Sequence, residues 1–131
     1  MVNIGIIGAG RIGKVHVESI CSHAARANVT YLADPFMSSE TADWARSMGV
    51  RSITDDYRKI LSDPEVDAVL ICSSTDTHST ISVEAIRAGK HVFCEKPIDH
   101  DPARIKEVID ALSKSSVKYQ VGFNRRFDHN F

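Results

Sequence analysis

The sequence predicts an α/β domain in three layers: a doubly wound parallel sheet with helices on both faces. Three observations carry that prediction. Short apolar runs alternate with helical patterns along the whole chain. The runs are rich in Val and Ile, as strands buried on both faces are. A glycine-rich turn, Gly8-Ala9-Gly10-Arg11-Ile12-Gly13, follows the first run directly. Alternation of this kind argues for βαβ units joined by right-handed crossovers.

In chain order, Val2–Ile7 is the first expected strand. The first helix follows the glycine turn and carries Ile12, Val15 and Ile20. Val29–Ala33 is the second strand. Thr41, Ala45 and Met48 form one helical stripe, closed by Gly49. Arg51–Thr54 is a weaker strand candidate. Tyr57, Ile60 and Leu61 mark a short helix that stops before Asp63-Pro64. Ala68–Cys72 is the next strand, followed by a helix with Ile81, Ala85 and Ala88 and with Gly89 just past its end. His91–Cys94 is a fifth strand. Asp101 and Pro102 suit the N-cap and first position of a helix whose apolar stripe is Ile105, Val108, Ile109 and Leu112. Val117–Val121 closes the sheet. The end, Gly122-Phe123-Asn124-Arg125-Arg126-Phe127-Asp128, is too aromatic and arginine-rich for an ordinary polar tail. Residues 1–122 therefore read as one domain, and 123–131 as the start of a connection to something further.

Composition narrows the function classes. At 131 residues, 43% hydrophobic and 25% charged, the chain has the proportions of one globular domain. Sixteen Lys and Arg against seventeen Asp and Glu give a net charge of -1. A broad basic surface for nucleic acid or an anionic membrane is thereby excluded. No apolar run is long enough to span a bilayer. The N-terminus enters a strand at once, without the pattern of a secretory leader. Cys21, Cys72 and Cys94 are odd in number and far apart, which suits reduced thiols in a cytoplasmic protein. No metal-ligand spacing is present.

The glycine turn has the pattern G-x-G-x-x-G between a strand and a helix, the context of a dinucleotide-binding Rossmann fingerprint. Gly8 permits the tight turn, Gly10 lets a pyrophosphate approach the backbone, and Gly13 lets helix and strand pack closely. The first-turn N–H groups at Arg11, Ile12 and Gly13 offer hydrogen bonds and a positive dipole end to the phosphates. The other reading is a glycine turn of an unrelated α/β protein. Asp34 ends the second strand, 21 residues after Gly13. A carboxylate there accepts hydrogen bonds from the adenosine ribose and repels a 2′-phosphate, favouring NAD over NADP. An Asp in that loop could instead cap the next helix.

Ligands in open parallel sheets sit beyond the carboxyl ends of the strands. The fourth strand ends in Cys72-Ser73-Ser74-Thr75-Asp76-Thr77-His78. Ser73, Ser74 and Thr75 are candidate cofactor neighbours, with Asp76 or Thr77 as helix cap. His78 could reach the nicotinamide side or be structural in the first helical turn. The fifth strand runs into Glu95-Lys96-Pro97. An ammonium there could hold a substrate hydroxyl oxygen and favour its deprotonated form. By composition alone, Glu95 and Lys96 read equally as a solvated pair.

Taken together, the glycine turn, Ala33-Asp34, Ser73–His78, the stretch Ala88-Gly89-Lys90-His91-Val92-Phe93-Cys94-Glu95-Lys96-Pro97 and Gly122–Phe127 resemble the N-terminal half of the glucose–fructose oxidoreductase/inositol dehydrogenase/rhizopine catabolism family, over all 131 residues. The likeness is greatest to its inositol dehydrogenases. It implies Lys96 at the reaction centre, binding the substrate, and Glu95 at the nicotinamide end. It implies that Arg126 approaches cofactor or substrate. It further implies a second domain that supplies most substrate contacts, the proton-accepting histidine and a homo-oligomer interface. None of the six histidines here sits where the family places that residue. The Ser73–Thr77 loop also lacks the proline common in the family.

The expected activity is hydride transfer from a hydroxyl-bearing carbon of a cyclic polyol or sugar, foremost myo-inositol, to NAD. Another sugar of the same family is one alternative, and a nucleotide-sensing module without catalysis is another. The chain as given is expected to bind cofactor while lacking half of the active site. Phe123, Phe127 and Phe131 are expected to lie without cover.

Overall fold

The computed structural model describes residues 1–130. Its six strands are β1 (Val2–Ile7), β2 (Ala27–Ala33), β3 (Ser52–Thr54), β4 (Ala68–Ile71), β5 (His91–Glu95) and β6 (Tyr119–Gly122). All pair in parallel, in the order β3-β2-β1-β4-β5-β6. The order reverses between β1 and β4, which places the switch point there. Helices α1 (Arg11–His23), α2 (Ser39–Ser47), α3 (Arg58–Ser62), α4 (Thr75–Arg87) and α5 (Pro102–Ser113) fill the connections, and a 3-10 turn spans Asn124–Phe127.

Alternation along the strands divides the core in two. Ile4, Ile6, Val29 and Leu32 face α1 and α2, and pack with Val17 and Ala45. Ile7, Val69, Ile71, Val92 and Cys94 face the opposite way, against Ile60, Ile81, Ala85, Ile86 and Val108. Each face buries side chains against helices, so the central strands read as mostly apolar runs, whereas edge strand β3 (Ser52–Thr54) buries none of its residues fully.

Several helices differ from expectation in phase or cap. In α1, Ile12 and Val15 are 40% and 46% exposed, while Gly13 and Val17 are buried. A Cβ at Gly13 would collide with the Gly8 carbonyl oxygen. That close approach turns the Gly13–Val17 face inward and Ile12 and Val15 outward. In α5 the buried line is Val108 with Ala111 and Leu112, and Ile109 is 57% exposed. The Asp101 cap is as expected, accepting from the Ala103 N–H, with Pro102 behind it. The N-cap of α4 is Ser74, two to three positions before the candidates Asp76 and Thr77. Strand β6 begins at Tyr119, two residues later than expected; just before it, the Lys118 carbonyl accepts from the Val92 N–H and the Lys118 N–H donates to His91 Nδ1.

Part of the Ala88–Pro97 stretch is architectural. Lys90 is buried, and its ammonium donates to the carbonyls of Asp63 (2.7 Å) and Val66 (2.8 Å), closing the turn after α3. Cys72 and Cys94 are buried and Cys21 is exposed, all as free thiols. Among the described residues no helix is long and apolar enough to cross a membrane.

Candidate functional site

Above the switch point lies an open cavity of about 450 Å³. Its walls come from three strand ends: Ile7, Gly8 and Gly10 after β1, Ala33–Phe36 after β2, and Cys72–Ser74 after β4, with Asp55, Tyr57, Thr77 and Ile81 completing it. Gly8 has φ +104°, and a Cβ there would lie 2.6 Å from the Cys72 carbonyl and the Ser73 nitrogen. Only glycine satisfies both the backbone angle and the approach. Gly10 is different. A Cβ on it would meet no protein atom within 4 Å, because the position faces the cavity. Gly10 also caps α1 without any side-chain hydrogen bond. The N–H groups of Arg11, Ile12 and Gly13 therefore form an uncapped helix start beside open space.

Asp34 is fixed before any ligand arrives. Its Oδ2 accepts from the Ala9 N–H and its Oδ1 from the Phe36 N–H, each at 2.8 Å. It does not cap α2; Ser38 does, accepting from Thr41. Phe36, next to it, is 93% exposed at the cavity rim. This open cradle, with an acid at the end of the second strand, fits a dinucleotide's pyrophosphate and ribose.

On the β4 side, Ser73 Oγ and Thr77 Oγ1 are 2.7 Å apart, and Thr77 donates to the Ser74 carbonyl at 2.6 Å. Ser73, Ser74 and Thr77 line the cavity and Thr75 does not. Burial, then the Glu95 carboxylate, push the Cys72 thiol up to about 12, so it stays protonated and unreactive at neutral pH.

The structure corrects His78. Its ring is 2% exposed, with Nδ1 2.8 Å from the Pro97 carbonyl oxygen and Nε2 2.8 Å from the Ser73 carbonyl oxygen. No ring nitrogen remains for a cofactor. Glu95 is also engaged, its Oε1 2.8 Å from His16 Nε2, and it does not line the cavity. His16 in turn sets its ring edge-on to Phe93, at 5.4 Å between centroids. Lys96 is exposed beyond β5, and among the described residues it makes no hydrogen bond or ion pair. The Lys96–Pro97 peptide is cis. Arg126 is not brought to the cavity. It sits on the 3-10 turn beside β6, the outermost strand, with Tyr119, Phe123 and Phe127. Phe123 and Phe127 are 55% and 70% exposed, as expected; Phe131 lies outside the described residues.

Sequence reasoning gives no site role to His16, Asp55 and Tyr57, and gives Thr77 only a capping one. The Tyr57 hydroxyl donates to Glu84 at 2.8 Å, which ties the cavity wall to α4. His16 and Glu95 are 79 residues apart, and no local pattern joins them.

A parallel sheet opened at its switch point over a glycine turn, with an acid closing the second strand, defines a dinucleotide-binding domain. Residues 2–123 match the oxidoreductase family with NAD-binding Rossmann fold, that of glucose–fructose oxidoreductase and inositol dehydrogenase, and the chain belongs to it. Its cofactor is NAD. The chain is 46% identical over 127 residues to an uncharacterised oxidoreductase, YrbE, of Bacillus subtilis (strain 168), covering 97% of this chain and 37% of that protein. It is 42% identical over 131 residues to inositol 2-dehydrogenase of Rhizobium meliloti (strain 1021), covering 99% and 38%. The scyllo-inositol dehydrogenase of Lactobacillus casei, solved with bound NAD(H) and scyllo-inositol, superposes with a TM-score of 0.91 at 34% identity, over 98% of this chain and 38% of that one. The chain thus spans less than two-fifths of these relatives.

Proposed function

We propose that residues 1–122 are the cofactor domain of an NAD-dependent dehydrogenase that oxidises a hydroxyl of a cyclic polyol, myo-inositol to its 2-keto product. Residues 123–131 then lead into a substrate domain. The observation that carries this reading is the open cavity over Gly10 and Asp34, with the unpartnered ammonium of Lys96 at a neighbouring strand end. Inositol dehydrogenases among the relatives support the substrate class.

When bound, NAD supplies the hydride acceptor. Gly8 and Gly10 admit the pyrophosphate, and the α1 first turn at Arg11–Gly13 holds it through main-chain N–H groups. Asp34 accepts the ribose hydroxyls and repels a 2′-phosphate. Ser73 and Ser74 offer hydroxyls from the opposite wall. Lys96 donates to the reacting hydroxyl oxygen and favours its deprotonated form. Turnover requires the remaining length of the relatives as well, so the chain alone binds cofactor without oxidising polyol. The complete protein is read as a cytoplasmic homo-oligomer.

The test is polyol-dependent NAD reduction in a chain extended to the relatives' length, with and without Lys96→Met. The change keeps much of the stem volume and removes the charge. Turnover should fall by about 10²-fold or more, the scale of losing one positioned proton-handling group, with NAD affinity unchanged. A variant that turns over like the parent removes Lys96 from the chemistry. One that loses NAD binding as well makes it a cofactor contact.

A further inference from the structure

His78 lies at the first turn of α4, buried, between two turns that the fold otherwise leaves separate. One is the turn after β4, whose Ser73 and Ser74 line the cavity. The other is the turn after β5, where Pro97 directly follows Lys96. The ring touches the main chain of both, at 2.8 Å from each nitrogen to a carbonyl oxygen. A carbonyl oxygen only accepts, whereas a neutral imidazole has one N–H donor and one bare lone pair. Either neutral tautomer would therefore press a lone pair against an oxygen, in a site closed to water. Only the doubly protonated ring satisfies both contacts.

We propose that His78 is held as an imidazolium that straps the turn after β4 to the turn after β5, and so acts as a positioning residue for the Ser73 and Lys96 sides of the cleft. The titratable group facing it is Cys94 on β5, whose thiol donates to the Glu95 carbonyl at 3.3 Å. Its charged neighbours in sequence, Asp76 on α4 and Lys96 and Asp99 after β5, make no hydrogen bond or ion pair with it. The positive charge is met by main-chain dipoles and not by a carboxylate. Burial alone would disfavour the charged ring, yet the neighbouring Cys94 side chain and the hydrogen bonds to the Pro97 and Ser73 carbonyls push its pKa up to about 9.

The strap itself stands on geometry; its effect on the cleft rests on the cofactor site described above. A long-range proton–nitrogen spectrum of the nitrogen-15-labelled 131-residue chain at pH 7.5 reads the ring directly. Both nitrogens of His78 should be protonated there. One bare nitrogen on His78 overturns the proposal. In the same chain, His78→Asn shortens the side chain and removes the charge, leaving one carbonyl unpaired. NAD affinity by calorimetry should then drop by about 10-fold, the scale of one charge-assisted hydrogen bond, with native circular dichroism. A folded His78→Asn chain with parental NAD affinity overturns the positioning role. If the variant does not fold, the parental spectrum decides. A parental chain that shows the doubly protonated ring and binds no NAD would sink the cofactor reading and leave the strap standing.

Discussion

The two halves of the sheet build their parts of the cleft from different materials. On the β1–β2–β3 side the ligand-facing groups are set by main chain: the Gly8–Gly13 turn, the first N–H groups of α1, and a carboxylate pinned by the N–H groups of Ala9 and Phe36. On the β4–β5–β6 side it depends on side-chain contacts: Ser73 with Thr77 along the wall itself and, behind it, His78 with the Pro97 carbonyl and His16 with Glu95, the last two across 19 and 79 residues. A main-chain wall needs particular residues at particular spacings, because a Cβ in the wrong place collides with backbone. A side-chain wall needs only that two surfaces meet, and many sequences achieve that.

The sharpest break between the halves should come from Gly10→Val. A Cβ there meets no protein atom within 4 Å, so the fold should persist while NAD affinity falls by at least about 100-fold, or about 2.7 kcal/mol. Calorimetry beside circular dichroism checks both; parental affinity would mean that the turn does not hold phosphate. Gly13→Ala is the inverse case. Its Cβ strikes the Gly8 carbonyl oxygen, so stability itself should fall by about 1–3 kcal/mol or more in urea unfolding. Equal effects of these two substitutions on stability would erase the distinction between a glycine kept for the ligand and one kept for the fold.

Asp34→Ala should weaken NAD by about 10-fold, the scale of one hydrogen bond to a charged group, and narrow its advantage over NADP. A parental chain that prefers NADP would reverse the role given to this acid. A further effect is a pH dependence on the side-chain half. The folded pKa of His78, about 9, lies above the ordinary value near 6.5. Its contribution to stability is therefore fully present below about pH 6.5 and lost as pH rises through about 9. Urea midpoints from pH 6 to 10 should fall across that window in the parent and less so in His78→Asn. Identical slopes would deny the shift.

The same difference of materials explains what could be read in advance. The succession of strands along the chain, the glycine turn and the position of Asp34 follow from spacing and periodicity, since buried parallel strands and a phosphate turn tolerate few alternatives. Helix phase was less legible. Ile12, Val15 and Ile109 carry apolar side chains on the outward face, because the close approach at Gly13 in one case and the inward turn of Ala111 in the other decide which line packs inward. Within the side-chain wall, His78 could be singled out but not assigned. Its role is set by two carbonyls, one 5 residues away and the other 19. Tyr57 fits a helix stripe in the sequence, whereas its hydroxyl reaches Glu84 and the residue lines the cavity.

The pinned carboxylate of Asp34 also bears on the thermodynamics of capture. An acid free to rotate loses that freedom when a ribose arrives, at a cost of about 0.5–1.5 kcal/mol for an immobilised side chain. In this chain the loss is incurred on folding, when Ala9 and Phe36 take one lone pair from each oxygen. The ordering entropy of that contact thus belongs to the folding equilibrium and not to the binding one. Each oxygen keeps a second lone pair, already aimed. A hydroxyl that meets it finds an acceptor whose orientation was set before the encounter.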